Sequence, residues 1–205
     1  MAGRIVVLIS GTGSNMLALV RACRAGEVPA EVVAVVADRA GEGIEKARGE
    51  GIETAVLDPH GYANREEWSA ELRDLVRAFD PDLVVSAGFM RILAPVFVGE
   101  FSGRLINLHP SLLPAYPGAH AVRDALEDGV PVTGTTIHFV DDQVDHGPPI
   151  LQREVPVDPD DDAALLHERI KAAEHELLPE ACRLLLSGRV ALDGDAVRRT
   201  DEKGS

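Results

Sequence analysis

The chain has 205 residues, 45% of them hydrophobic and 26% charged, a length and balance that suit one well-buried globular domain rather than two of ordinary size. A formal net charge of -14 without any Lys/Arg-rich stripe excludes a general nucleic-acid binder, because nothing would neutralise a phosphate backbone. No apolar run is long enough to cross a bilayer, so a cytoplasmic protein without membrane or nucleic-acid partners is expected.

Taken in chain order, short β-branched runs over residues 4–9, 31–37, 54–57, 83–86 and 104–108 predict buried strands. The segments between them have helical periodicity. Over 65–79, Trp68, Leu72, Leu75, Val76 and Phe79 share one face while Glu66, Glu67, Arg73 and Asp74 fall away from it, and Asp80-Pro81 stops the helix. Strand, helix, strand in this order predicts right-handed crossovers and an α/β fold: a mainly parallel, twisted sheet with helices on both faces and a Rossmann-like N-terminal half. Ligands are then expected at the carboxyl ends of the strands. After Leu108 the rhythm changes to two strands, 132–140 and 149–157, joined by the polar loop DDQVDHGP. A long helix over about 161–186 follows, which Pro179 should kink or interrupt. Asp193-Gly194 predicts a hairpin between 190–192 and 196–197, followed by a frayed polar tail. This divides the chain into a single domain over 1–189 and a C-terminal hairpin and tail over 190–205.

The two cysteines, Cys23 and Cys182, lie far apart inside apolar helical patterns and read as buried thiols. No histidine spacing suits a zinc site, so no metal is expected.

Two segments carry chemistry. The first strand runs into Ser10-Gly-Thr-Gly-Ser-Asn15, where glycines allow a sharp turn and the first amides of the next helix can hold an anion. Gly13, Ser14 and Asn15 are the candidate phosphate donors. A dinucleotide fingerprint would need a small residue at position 16, which is Met, although Asp38 ends the second strand where a ribose-binding acid would stand. A ligand-free glycine turn is the other alternative. The second segment is Arg104-Leu-Ile-Asn-Leu-His-Pro110. Residues two apart on a strand share a face, so Asn107 and His109 project together from the end of a central strand. An amide beside an imidazole suits acyl transfer, one holding an oxyanion while the other moves a proton from an attacking amine. A satisfied polar patch is the bland alternative. Asp141, Asp142 and Asp145 all offer a carboxylate to orient the imidazole, and spacing does not choose among them. Ser111 lacks the GxSxG context of a serine nucleophile.

The segments SGTGSN, AGFMRIL (87–93), INLHPSLLPAYPG (106–118) and GTTIHFVDDQVDHGPPILQ (134–152), with Lys171, Glu174 and His175 in the last helix, resemble the glycinamide ribonucleotide formyltransferase family over nearly the whole chain. The resemblance implies transfer of formyl from 10-formyltetrahydrofolate to the amine of glycinamide ribonucleotide, in purine biosynthesis and without a metal. It assigns catalysis to Asn107, His109 and Asp145, so selecting one of three acids. It assigns the substrate phosphate to Gly13, Ser14 and Asn15, and the ribose and phosphate surroundings to Lys171 and Glu174. Folate would lie against Met90, Arg91, Ile92 and Leu93 and the loop from Val140 and Asp141 to Asp145, with Arg65 near its glutamate tail. Small-molecule partners and a monomer or homodimer are implied. The longer relatives that formylate tRNA or hydrolyse formyl folate carry extra domains for which this chain has no room. The remaining alternatives are another phosphorylated amine as acceptor, or a folate- or nucleotide-binding module without chemistry. Two departures stand out. His146 replaces a common Gly, which bears on loop flexibility or ionisation, and Ala115 stands where some relatives have a basic residue.

Overall fold

Alternation of β-branched runs with amphipathic stretches gives β1 (Gly3–Ile9), α1 (Ser14–Arg24), β2 (Ala30–Ala37), α2 (Glu42–Gly49), β3 (Glu53–Val56), α3 (Arg65–Arg77), β4 (Leu83–Ser86), α4 (Pro95–Glu100) and β5 (Leu105–His109). These are followed by α5 (Ala121–Glu127), β6 (Val132–Phe139), β7 (Pro149–Pro156), α6 (Ala163–Leu186), β8 (Val190–Asp193) and β9 (Ala196–Arg199). The structure is a computed structural model and describes residues 2–200.

Seven strands form one sheet in the order β3-β2-β1-β4-β5-β6-β7. β1 to β5 pair in parallel, whereas β6 runs antiparallel to both β5 and β7. The α/β architecture is therefore the expected one. Strand order reverses between β1 and β4, and the crevice at such a switch point is where an open α/β sheet binds ligands. The loops after β1, β4 and β5 all open there.

Period-2 alternation sends the strand side chains to two cores. Ile5, Val7 and Ile9 of β1 pack with Met16 and Leu19 of α1, Ile44 of α2 and Leu177, Leu178 and Cys182 of α6. Val6 and Leu8 pack on the opposite face with Trp68, Leu72 and Val76 of α3 and Phe97 and Phe101 around α4. Burial on both faces explains why the strands read as continuous apolar runs. Cys182 is buried and Cys23 partly so, and both are free thiols.

Pro179 lies inside α6, which runs on through it, so of the expected kink or interruption the interruption does not occur. The surrounding turn is locked by tertiary burial, with Leu177, Leu178, Ala181 and Cys182 all in the core, so packing outweighs the lost backbone hydrogen bond. Asp162 caps the helix by accepting from the Leu165 N–H at 2.8 Å. The hairpin β8/β9 forms as expected, with Val190 in the core and Arg199 donating to the Ile150 carbonyl. The tail expected to fray includes residues 201–205, which lie outside the described residues. Among the described residues, no helix is long and apolar enough to cross a membrane.

Candidate active site

β5 delivers Asn107 and His109 to the same face at its carboxyl end, as period 2 requires, and His109 is only 4% exposed. Its Nε2 lies 2.7 Å from the Tyr116 carbonyl oxygen, so Nε2 carries a hydrogen and donates it. Nδ1 faces Asp145 Oδ2 at 3.3 Å. With Nε2 committed, Nδ1 is the nitrogen that gains or loses a proton, directly against a carboxylate. Burial holds the pKa of this imidazole below its ordinary value, against the Tyr116 carbonyl and the Asp145 charge, which both raise it.

Asp145 sits in the loop between β6 and β7 in the left-handed region, at φ 52°. A non-glycine residue there costs about 1–3 kcal/mol and persists only where its surroundings hold it. The Gly118 N–H donates to Oδ2 at 2.8 Å. Burial pushes the carboxyl up, but the adjacent His138 ring, the Gly118 N–H and His109 together hold it below the usual carboxylate range. It is therefore ionised at neutral pH. Tyr116, whose carbonyl fixes His109, is also at positive φ, 54°. Both of the imidazole's partners are thus held in strained backbone, the arrangement expected where geometry serves function.

His138 was not anticipated as part of this cluster. It stands opposite Asn107 in the β5/β6 register. Its Nδ1 donates to the Phe139 carbonyl at 2.8 Å, and its Nε2 lies 3.2 Å from Asn107 Nδ2. The same amide is 3.4 Å from Asp145 Oδ1. Both contacts are long, so the amide can turn to a stronger acceptor at small cost. A sequence signal existed: a histidine in a strand otherwise made of Val, Thr, Gly, Ile and Phe.

The turn after β1 is built as expected. Gly13, at φ 72°, occupies the N-cap of α1, and no side chain caps that terminus, so the first amides of the helix remain available to an anion. Asn15 Nδ2 donates to Glu174 Oε2 at 2.7 Å, and Thr135 Oγ1 lies 3.4 Å from Glu174 Oε1 while donating to the His109 carbonyl at 3.2 Å. Glu174 therefore joins the glycine turn to the strand carrying His109. Burial raises the Glu174 pKa, with Asn15, Thr135 and Lys171 acting in the other direction. Lys171, one turn earlier on α6, pairs with Glu168 at 2.7 Å.

After β4, Met90 and Ile92 are 67% and 56% exposed, and Val144, in the loop after β6, is 53% exposed. Leu93 and Val140 are half-buried beside them and pack on the α3–α4 core. Arg65 is exposed at the first position of α3, one turn before Trp68 and Ser69. Those two hold the 87–94 loop, Trp68 by stacking on Phe89 and Ser69 by accepting from the Ala94 N–H. Asp141 is half-exposed and accepts from the Gln143 N–H at 2.9 Å and contacts His146 Nδ1 at 2.8 Å. The departure at His146 is thus spent on the loop's own surface. Ser111 is fully buried, its hydroxyl donating to the Ala115 carbonyl, which removes it as a nucleophile. The Asp38 side chain is wholly buried and paired with Arg91 at 2.6 Å, so it is not open to a ribose. Among the described residues, no group of three or more His, Cys, Asp or Glu is arranged to hold a metal ion.

The sequence pattern of the formyl transferase family matches residues 3–182. The phosphoribosylglycinamide formyltransferase of Escherichia coli K12 is 44% identical over 193 residues, covering 94% of this chain and 91% of that one. The protein of the same name from Mycobacterium tuberculosis is 46% identical, covering 93% and 88%. The crystal structure of glycinamide ribonucleotide transformylase 1 from Symbiobacterium toebii superposes with a TM-score of 0.94 at 46% identity, covering 97% of this chain and 94% of that one.

Proposed function

The chain belongs to the formyl transferase family, and from that premise we propose that it is a phosphoribosylglycinamide formyltransferase of purine biosynthesis. It transfers formyl from 10-formyltetrahydrofolate to the amine of glycinamide ribonucleotide, giving formylglycinamide ribonucleotide and tetrahydrofolate. The observation that carries the reading is the convergence of Asn107, His109 and Asp145 at one strand end, with the His109 imidazole held between a fixed acceptor and an ionised carboxylate.

The two sides of the crevice fit the two substrates. Open amides at the start of α1, with Gly13, Ser14 and Asn15, suit the phosphate of the ribonucleotide, and Lys171 and Glu174 suit its ribose and phosphate surroundings. Exposed Met90, Ile92 and Val144, backed by Leu93, Val140 and Asp141, suit a flat ring. Arg91 and Arg65 suit its anionic glutamate tail. The donor supplies the formyl carbon and an amine leaving group.

His109, neutral at rest, accepts at Nδ1 the proton that the acceptor amine loses as its nitrogen bonds to the formyl carbon. Asp145, beside Nδ1, stabilises the imidazolium so formed. Asn107 turns its amide from His138 and Asp145 to the oxygen that gains negative charge, and the imidazolium reinforces it. His109 then returns the proton, directly or through water, to the folate nitrogen as the carbon–nitrogen bond to folate breaks. No covalent link to the protein forms at any point.

Residues 1–189 are read as the catalytic domain with the 190–205 hairpin and tail appended, in a cytoplasmic monomer or homodimer. The reading is tested by incubating the protein with glycinamide ribonucleotide and 10-formyltetrahydrofolate and following deformylated folate, omitting the ribonucleotide as the control for hydrolysis. Ribonucleotide-dependent release is expected. Release without the ribonucleotide, or binding of both ligands without transfer, would overturn it.

A further inference from the structure

Asp38 directly follows β2 as a carboxylate whose side chain is entirely out of solvent, and it belongs to none of the groups assigned above. Burying an ion costs several kcal/mol unless other groups pair with it, and such a pair is weak evidence of a stability role. What Asp38 pairs with is informative. Arg91 Nε donates to its Oδ2 at 2.6 Å, and Arg39 Nε lies 3.4 Å from its Oδ1. The Ser10 side chain faces the same carboxylate, and its hydroxyl accepts from the Met90 N–H at 2.8 Å. One carboxylate thus fixes two successive loop residues, Arg91 through its guanidinium and Met90 through a serine relay.

Both residues lie on the irregular segment between β4 and α4, and Met90 turns its side chain to solvent, as does Ile92. Trp68 and Ser69 hold this loop at Phe89 and Ala94, but between those points Met90 and Ile92 face solvent, so the placement of residues 90–92 falls to the backbone and the charged anchor. We propose that Asp38 is a positioning residue for the formyl-donor site, setting the 90–92 loop in its binding-ready form through Arg91 and through Ser10 to Met90. This rests on the reading that this loop receives the folate ring and tail. Asp38 touches neither substrate. Its effect is preorganisation: without it, donor binding must also order the loop, and affinity falls while chemistry at His109 proceeds.

The experiment compares wild type, Asp38→Asn and Ser10→Ala. Asparagine keeps the size of the side chain but removes the charge that holds Arg91; alanine cuts only the link to Met90. Calorimetric titration with 5-formyltetrahydrofolate, which has the ring and glutamate tail but is not the donor isomer, is run beside titration with glycinamide ribonucleotide. Steady-state assays accompany both. Asp38→Asn is expected to weaken folate binding and raise its KM at least tenfold, with kcat and the ribonucleotide affinity within about threefold of wild type. Ser10→Ala is expected to show the same pattern at about threefold. Wild type that binds no folate would overturn the functional reading itself. Wild type that binds, with Asp38→Asn binding equally or more tightly, would overturn the positioning role alone, as would equal loss of both ligands. Should Asp38→Asn fail to fold, unchanged folate affinity in Ser10→Ala overturns the proposal, and the selective loss supports it.

Discussion

His109 and Asp145 meet through Nδ1 and Oδ2 at 3.3 Å, while the other imidazole nitrogen is already committed to the Tyr116 carbonyl at 2.7 Å. A charge-assisted N–H···O contact is normally about 2.7–2.9 Å, so the pair has room to tighten when Nδ1 takes up a proton. Asp145→Asn keeps the shape and removes the charge that stabilises the imidazolium. Turnover is expected to fall by about 10²–10⁴-fold, the range of acid–base contributions, with near-wild-type thermal stability. His109→Ala should fall at least as far. The double variant should be little worse than His109→Ala, because groups acting as one unit are not additive. Steady-state kinetics on the three variants check this, and fully additive losses would separate Asp145 from the proton step.

The acid limb of kcat/KM reports the free enzyme's proton acceptor. Burial lowers the His109 pKa and the Asp145 charge raises it, with burial prevailing. The limb assigned to His109 should therefore lie below the ordinary histidine value of about 6.5, keeping the imidazole neutral and able to accept a proton at neutral pH. Removing the Asp145 charge takes away a raising influence, so in Asp145→Asn that limb moves further to acid even as the plateau drops. Rate profiles of both proteins with the same substrates cancel the titration of the acceptor amine. A limb that moves to higher pH would contradict the assignment.

Gly147 explains how the loop carrying Asp145 closes on β6. A Cβ built there would stand 1.9 Å from the Phe139 carbonyl oxygen and 2.8 Å from its carbon, so any side chain forces the loop away from the strand. Overpacking of this kind costs about 1–3 kcal/mol. Gly147→Ala should thus lower Tm by several degrees and cut turnover more than tenfold by moving Asp145 off His109. His146→Gly is the contrast. It removes one contact from a side chain that is 64% exposed and should change turnover by less than threefold. Thermal melts with kinetics on both variants decide whether the loop's seat or its surface matters.

Periodicity made the strands, the helices and the Asn107/His109 pair legible, because a shared face follows from spacing alone. Asp145 was not legible from spacing. Its selection over Asp141 and Asp142 depends on a left-handed backbone angle and on the Gly118 N–H 27 residues away, neither of which has a local signature. His138 was hidden for a similar reason: its place beside Asn107 is a matter of register between β5 and β6, which local pattern does not set. Asp38 stood in the right place for a ribose-binding acid, yet tertiary structure spends it on Arg91 from another crossover. Pro179 reads as a helix breaker until the apolar residues around it are seen to be core.

Glu174 offers a test that separates stability from catalysis. Burial raises its pKa above the ordinary value of 4.5, with the hydrogen bonds from Asn15 and Thr135 and the Lys171 charge opposing. Between 4.5 and the raised folded value, the unfolded chain has released this proton and the folded chain still holds it, so stability falls as pH rises through that window. Above the folded pKa the cost is present in full. Glutamine never ionises and carries none of it, while its amide oxygen can still accept from Asn15. Glu174→Gln should therefore gain in Tm relative to wild type on going from pH 4 to pH 8, by about 2–4 °C per kcal/mol recovered in a domain of this size. If Glu174 also contacts the ribonucleotide, the same variant should raise the KM for that substrate and leave the KM for the folate donor close to wild type. Melting curves at the two pH values and the pair of KM values are the measurements. A Tm difference between variant and wild type that stays constant or shrinks with rising pH would show that the buried carboxyl is not the destabilising group.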